Sequence, residues 1–245
     1  MVRSFKMVFC LGLSRTGTTS LCHALQALGL RTIHYPIHLF TQQEALGRAP
    51  FQPMLRLGPY STWRRSKEIK ALECRDACTI LGGFDAFGDL PIPLFYRDLD
   101  KCFPGSRFIH TTRDRESWIK SMKWLFEDGK IIWKRGRIGD ELTHAVYGTT
   151  QFDREALIAA FDAHEADVRD YFADRPDDLL SLRVDRGELT FDALKSFLEI
   201  ESELSGACPK INDARAVSVA ERMRYRFEGF FPVWLRRRLV RGWRD

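Results

Sequence analysis

From Phe5 to Leu11 the chain is apolar apart from Lys6 and stops at Gly12, a short run that predicts a buried strand feeding a tight turn. Leu21, Ala24, Leu25 and Leu28 then recur at helical spacing, with Gly29 as the expected C-terminal cap, so the chain opens as strand, glycine loop, helix. Arg31 to Tyr35 predicts the next strand, and Cys78 to Phe87, interrupted by Gly82 and Gly83, predicts one or two more. Leu94 to Cys102 has a helical pattern, Pro104-Gly105 a turn, Arg107 to Thr112 a strand and Glu116 to Phe126 an amphipathic helix. Asp153 is placed to cap a long helix ending near Phe172, Leu179 to Val184 to form a strand, and Thr190 to cap a helix ending near Ile200.

Strands alternating with helices imply the α/β class, a parallel β-sheet flanked by helices on both faces. No repeat, low-complexity tract or clean linker divides the pattern. Residues 1–215 are therefore expected to form one domain, and 216–245 a basic amphipathic helical extension of it. Between the early strands, Gln42 to Arg75 is polar, basic and broken by Pro and Gly in its first half, which suits a substrate-facing insertion.

Composition changes this picture little. A chain of 245 residues, 44% hydrophobic and 29% charged, has enough apolar material for one large core. The net charge of +5 hints at an anionic ligand, but Arg236, Arg237, Arg238, Arg241 and Arg244 in the tail supply much of the excess. Cys10, Cys22, Cys74, Cys78, Cys102 and Cys208 match neither a zinc knuckle nor a redox motif, and are expected as reduced packing residues in a cytoplasmic protein. The apolar run Met7 to Leu13 is short and leads straight into Ser14 and Arg15, so a signal peptide is not expected, and no run approaches the ~20 apolar residues of a membrane span.

The loop carries the chemistry. Gly12 to Thr19 has the length of a Walker A loop, whose backbone N–H groups and following helix N-terminus bind phosphate oxygens. Gly17 allows close approach of the backbone, and Thr18 and Thr19 add hydroxyls. The lysine that should follow the second glycine is Thr18 here, and the cation sits earlier, as Arg15. That displacement argues against an ATPase and suits a nucleotide whose reacting group hangs directly off one 5′-phosphate. Arg113 follows an apolar strand with Ser121 eight residues on, and a guanidinium plus a hydroxyl suits a terminal phosphate dianion.

At these residues the sequence resembles the PAPS-dependent sulfotransferase superfamily, in particular its bacterial and fungal branch with an Arg-Thr-Gly-Thr loop. Arg15-Thr16-Gly17-Thr18-Thr19-Ser20 looks like the family's 5′-phosphosulfate loop, and Arg113 with Ser121 like its 3′-phosphate pair. The likeness extends through Asp85 to Pro91, Phe103 to Thr112, Leu194 to Ile200 and Cys208 to Asn212. Two features depart from the cytosolic enzymes: Ser20 stands where they carry an adenine-stacking tryptophan, and their C-terminal Arg-Lys-Gly motif is missing.

The resemblance implies a P-loop-like sulfotransferase fold. It also implies transfer of a sulfuryl group from PAPS to a hydroxyl or amine of a small-molecule, glycan or lipid acceptor by in-line displacement, with release of 3′,5′-ADP and no metal. Arg15 would stabilise the leaving phosphate; Arg15, Thr16, Gly17, Thr18, Thr19, Ser20, Arg113 and Ser121 would hold the nucleotide. Asp89, in the Asp-Leu-Pro that occupies the place of the relatives' His-Leu-Pro base, is the first candidate base, its pKa open to being raised in a partly dry cleft. Asp85, His34 and His38 compete with it. Trp118 and Trp124 have the spacing of core residues, and His110 that of a structural strand residue.

Phe230 to Trp243 combines aromatic and aliphatic positions with arginines, which fits a helix docked on the domain or one lying on an anionic inner-membrane surface. No nucleic-acid partner is expected. Two rivals are a P-loop small-molecule kinase using ATP and magnesium and a non-catalytic anion- or nucleotide-binding module; neither accounts for both motifs.

Overall fold

A computed structural model of the chain describes residues 4–36, 74–127 and 136–211. Most of the insertion expected at Gln42 to Arg75, His38 and the whole C-terminal extension lie outside the described residues.

In chain order the elements are β1 (Val8–Cys10), α1 (Thr18–Ala27), β2 (Thr32–His34), α2 (Cys74–Leu81), β3 (Ala86–Gly88), α3 (Ile92–Cys102), β4 (Arg107–Thr112), α4 (Arg115–Glu127), α5 (Gly136–Tyr147), α6 (Arg154–Tyr171), β5 (Leu179–Arg183) and α7 (Phe191–Leu198). The five strands form one parallel sheet in the order β2-β3-β1-β4-β5. The expected α/β class is the observed one.

Alternation along β1 explains the layers. Phe9 and Leu11 join Phe87 and Phe108 on one face, covered by Ala77 and Leu81 of α2, Phe95 and Leu99 of α3, and Val168 and Phe172 at the end of α6. Val8 and Cys10 point the other way, with Ala86, Ile109 and Leu182, and are covered by Leu21, Ala24 and Leu25 of α1 and Leu194 and Leu198 of α7. Both faces are dry, which is why these parallel strands lack polar alternation. Each large apolar side chain buried here contributes roughly 1.5–3 kcal/mol.

A third cluster sits past the C-terminal ends of the strands, where Leu13 and Leu90 meet Trp118, Met122, Tyr147, Leu157 and Phe161. It forms a firm base for the loop that follows β1. The chain leaves central β1 toward β2 and β3 on one side and later occupies β4 and β5 on the other, so the crevice above β1 is the switch point where open α/β sheets bind ligands.

Three expectations need correction. Residues from Cys74 to Leu81 form a helix, leaving one strand where one or two were expected; the Gly82-Gly83 break ends α2 and lies outside β3. Helix α5 was not anticipated at all. Cys74 and Cys102 form a disulfide, so the expectation of six reduced cysteines fails for this pair, whose Cα atoms are brought within 4.7 Å by the packing of α2 on α3. Cys10, Cys22, Cys78 and Cys208 are free thiols. No helix among the described residues is long and apolar enough to cross a membrane.

Candidate functional site

The loop from Gly12 to Gly17 is pinned against β4. A Cβ at Gly12 would lie 2.0 Å from the Thr111 hydroxyl and 2.5 Å from that of Thr16, so only glycine fits this approach. Thr16 donates its hydroxyl to the Leu13 carbonyl at 2.7 Å and contacts Thr111 at 3.1 Å. Its side chain is therefore buried inside the loop and holds its shape.

Ser14 is fastened on three sides. Its N–H donates to the Tyr147 hydroxyl, its carbonyl accepts from the Trp118 indole at 2.9 Å, and its hydroxyl donates to Asp89 at 2.6 Å. The next residues reverse direction: Arg15 has φ 72° and Gly17 φ 95°. A side chain at Gly17 would also meet Val184 at 3.0 Å. An arginine held at positive φ is strained backbone of the kind that collects at functional sites.

One flank of the loop is built from β2 and β3. His34 pairs with Gly88 in the ladder, and the Tyr35 N–H donates to the Gly88 carbonyl at 2.8 Å, which sets His34 beside Asp89. The His34 Nε2 lies 3.2 Å from Asp89 Oδ2 and 3.2 Å from the hydroxyls of both Thr18 and Thr19. Asp89 is buried, at φ 66° and ahead of a cis Leu90–Pro91 bond, and also accepts from the Leu90 N–H at 2.8 Å. Burial pushes its pKa up, but the contacts of His34, the Ser14 hydroxyl and the Leu90 amide outweigh it and hold the carboxyl below its ordinary value. The expectation of a raised Asp89 pKa is thus reversed: the cleft is dry, but it is lined with donors that favour the carboxylate.

The other flank belongs to α4. Arg15 Nε donates to the Ser121 hydroxyl at 2.9 Å, and its guanidinium stacks 5.1 Å from the Trp124 ring centroid. Arg113 donates to the Arg15 carbonyl at 3.3 Å and to the Ser117 hydroxyl. Burial first, then the neighbouring Arg113, lower the Arg15 pKa, with Asp89 opposing. The residues expected at the two ends of one nucleotide therefore meet through Arg15. Arg113 and Ser121 do not touch directly; the intermediary is the loop cation itself.

Ser20 is tied to a distant part of the chain. Its hydroxyl accepts from the Ile211 N–H at 2.9 Å and donates to the Ile211 carbonyl at 3.4 Å, fastening the segment after α7 to the first turn of α1. Asp85 lies at the N-terminal end of β3, where the Arg31 guanidinium and N–H bind it, at the opposite end of the strand from the loop. His110 is buried in β4 against Glu165, and Trp118 is fully buried core, as their positions in the pattern suggest. Ser14, Ser117, Trp124 and Tyr147 were not singled out as site residues. Ser117 had a legible signal, one helical turn after Arg113; Tyr147 had none, because α5 reaches the loop only in three dimensions. No cluster of three or more His, Cys, Asp or Glu suited to a metal ion occurs among the described residues.

The fold and site together are a parallel 2-3-1-4-5 sheet of the open α/β class with a glycine loop at the end of its central strand, flanked by two arginines and by hydroxyl side chains at the starts of two helices. The more specific class follows from comparison with known proteins. Residues 7–217 match the sulfotransferase domain family model, and the chain belongs to that family. A stretch of 119 residues is 31% identical to the Ava biosynthesis cluster protein M of Aspergillus versicolor, covering 47% of this chain and 41% of that protein; the chain thus matches less than half the length of that relative. The crystal structure of sulfotransferase STF9 from Mycobacterium avium aligns over 92% of this chain and 68% of its own, with 12% identity and a TM-score of 0.45.

Proposed function

We propose that the chain transfers the sulfuryl group of PAPS to a hydroxyl or amine acceptor, releasing 3′,5′-ADP by in-line displacement at sulfur. The observation that carries this reading is the continuity of polar groups across the ends of β1 and β4. Thr18 and Thr19 stand on one side of the loop and Arg113, Ser117 and Ser121 on the other, where the Arg15 carbonyl accepts from Arg113 and the Arg15 guanidinium donates to Ser121. A ligand with an anion at each end matches such a receptor better than one with a single linear polyphosphate.

In this reading the N-terminus of α1 and the hydroxyls of Thr18 and Thr19 hold the 5′-phosphosulfate. Arg113 and Ser121, with Ser117 orienting the guanidinium, hold the 3′-phosphate. Arg15 lies between them, able to serve either end, and its guanidinium offsets negative charge as the leaving phosphate develops it. The hydroxyls of Thr16 and Ser20 are assigned to the scaffold.

The kinase reading gains nothing from the geometry, because Thr18 stands where a lysine would reach a terminal phosphate. Calorimetry with 3′,5′-ADP, against ATP with magnesium, separates the two. Binding of the former and labelled-sulfate transfer from PAPS to a panel of phenols, sugars and lipids are expected; heat only from ATP and magnesium would overturn the proposal.

A further inference from the structure

The reaction needs a group that takes the acceptor's proton, and the residue in the expected place is poorly suited to do so. Asp89 is enclosed and already accepts from the Ser14 hydroxyl and the Leu90 N–H, with His34 at its second oxygen. These contacts stabilise its ionised form, so it gains little by accepting another proton. His34 is different: it projects from the end of β2 into the same cleft, and its side chain is 24% exposed against 6% for Asp89.

We propose that His34 is the proton acceptor of the transfer reaction and that Asp89 is its positioning partner. The claim rests on the sulfotransferase reading above and names a residue within it. An ionised carboxylate only accepts hydrogen bonds, so the 3.2 Å contact with Asp89 Oδ2 requires the proton of the neutral imidazole to be on Nε2. The Thr18 and Thr19 hydroxyls, also 3.2 Å from Nε2, can each act as donor or acceptor and do not oppose this placement. The lone pair is then on Nδ1, leaving that atom to receive a proton.

As the acceptor oxygen forms its bond to sulfur, its proton moves to Nδ1 of His34. The bond from sulfur to the 5′-phosphate oxygen breaks with its electron pair remaining on 3′,5′-ADP. The resulting imidazolium faces the Asp89 carboxylate. The charged groups around His34 are Asp89, just after β3, and, acting on Asp89 from the loop, Arg15; Cys22 of α1 lies close enough to feel the Asp89 charge. The ladder contacts of Gly88 with His34 and Tyr35 hold both side chains on strand ends rather than on mobile loops, as a general base requires.

Two measurements on the full chain test the assignment. Nitrogen-15 NMR of the histidine rings in the presence of 3′,5′-ADP, with His34→Gln to assign the signal, should show His34 as the Nε2–H tautomer. An Nδ1–H tautomer would overturn the proposal, because the lone pair would then lie on Nε2, turned toward Asp89, Thr18 and Thr19, and not on Nδ1. Release of labelled sulfate from PAPS with water as acceptor should fall at least about 10²-fold in kcat in His34→Gln, within the span typical of a lost general base. The KM for PAPS and the affinity for 3′,5′-ADP should stay within about twofold.

Asp89→Asn should lower kcat less than His34→Gln and raise the share of the Nδ1–H tautomer. Unchanged turnover in His34→Gln, or a loss confined to nucleotide affinity, would sink the base assignment while leaving the donor reading intact. Failure of the wild-type chain to bind 3′,5′-ADP would sink the donor reading itself.

Discussion

Asp85 and Asp89 bracket the same three-residue strand, and both are buried, yet they are held in opposite ways. Asp85, at the N-terminal end of β3, is gripped by the Arg31 guanidinium through both oxygens and by the Arg31 N–H. Its partner is a permanent cation whose side chain is 66% exposed, so the arrangement closes a sheet corner and has no proton to exchange. Asp89, at the C-terminal end, is held by a serine hydroxyl, a backbone amide and an imidazole, and sits at positive φ. Three residues of strand separate a structural carboxylate from one that sits beside an imidazole. Burial alone does not mark a functional carboxylate; the chemistry of its partners does.

The comparison is open to test from its active side first. Arg113→Ala and Arg15→Ala should each abolish detectable transfer of labelled sulfate, a loss of at least about 10²–10³-fold. Arg113→Ala should act mainly through nucleotide affinity; wild-type affinity for 3′,5′-ADP and wild-type turnover in either variant would refute the site.

The next largest effect concerns His164, which supports the loop from below by donating from Nε2 to the Leu11 carbonyl at 2.8 Å. Burial first, and the neighbouring His110, lower its pKa from 6.5 to about 4. The unfolded chain therefore takes up the proton first as pH falls, and stability should drop between about pH 6.5 and 4 by roughly 3 kcal/mol. Denaturant midpoints for His164→Gln, which keeps a donor but does not titrate, should lose that portion of the slope. An unchanged slope would show that His164 is not the group responsible.

Asp85→Asn should cost about 1–3 kcal/mol of stability by weakening the bonds to Arg31, with kcat unchanged at temperatures where the variant is folded. Lost turnover in a fully folded Asp85→Asn would erase the contrast between the two carboxylates. The smallest effect is expected at the opposite end of the fold. Thr190 accepts from the Ala193 N–H at the start of α7, and Thr190→Ala should cost about 1 kcal/mol in chemical denaturation and leave transfer untouched.

Local signals made much of the fold legible. The apolar run of β1, the spacing in α1, the Asp153 and Thr190 caps and the full extent of β4 depend on neighbours within one or two turns, and the structure shows each where the pattern places it. The errors have equally local causes. Cys78 to Leu81 ends in a short apolar run that a strand and a helix share, and the extent of the element was set by packing against α3. Helix α5 has its recognisable role only where Tyr147 meets Ser14, 133 residues away in the chain.

The sequence by itself determined that a glycine loop with a displaced cation follows the first strand, that a second arginine with a serine stands at the end of another, and that strands and helices alternate. These are properties of spacing, and spacing is written in the chain. Only the tertiary structure decided which groups meet: that Arg15 reaches Ser121, that Thr16 and Ser20 turn into the scaffold, that Asp85 and Asp89 part company, and that His34 comes to lie against Asp89. The reason is the parallel sheet. It sets β2 beside β3 and β1 beside β4 by ladder register, bringing side chains tens of residues apart to one edge, and no periodicity along the chain encodes that neighbourhood.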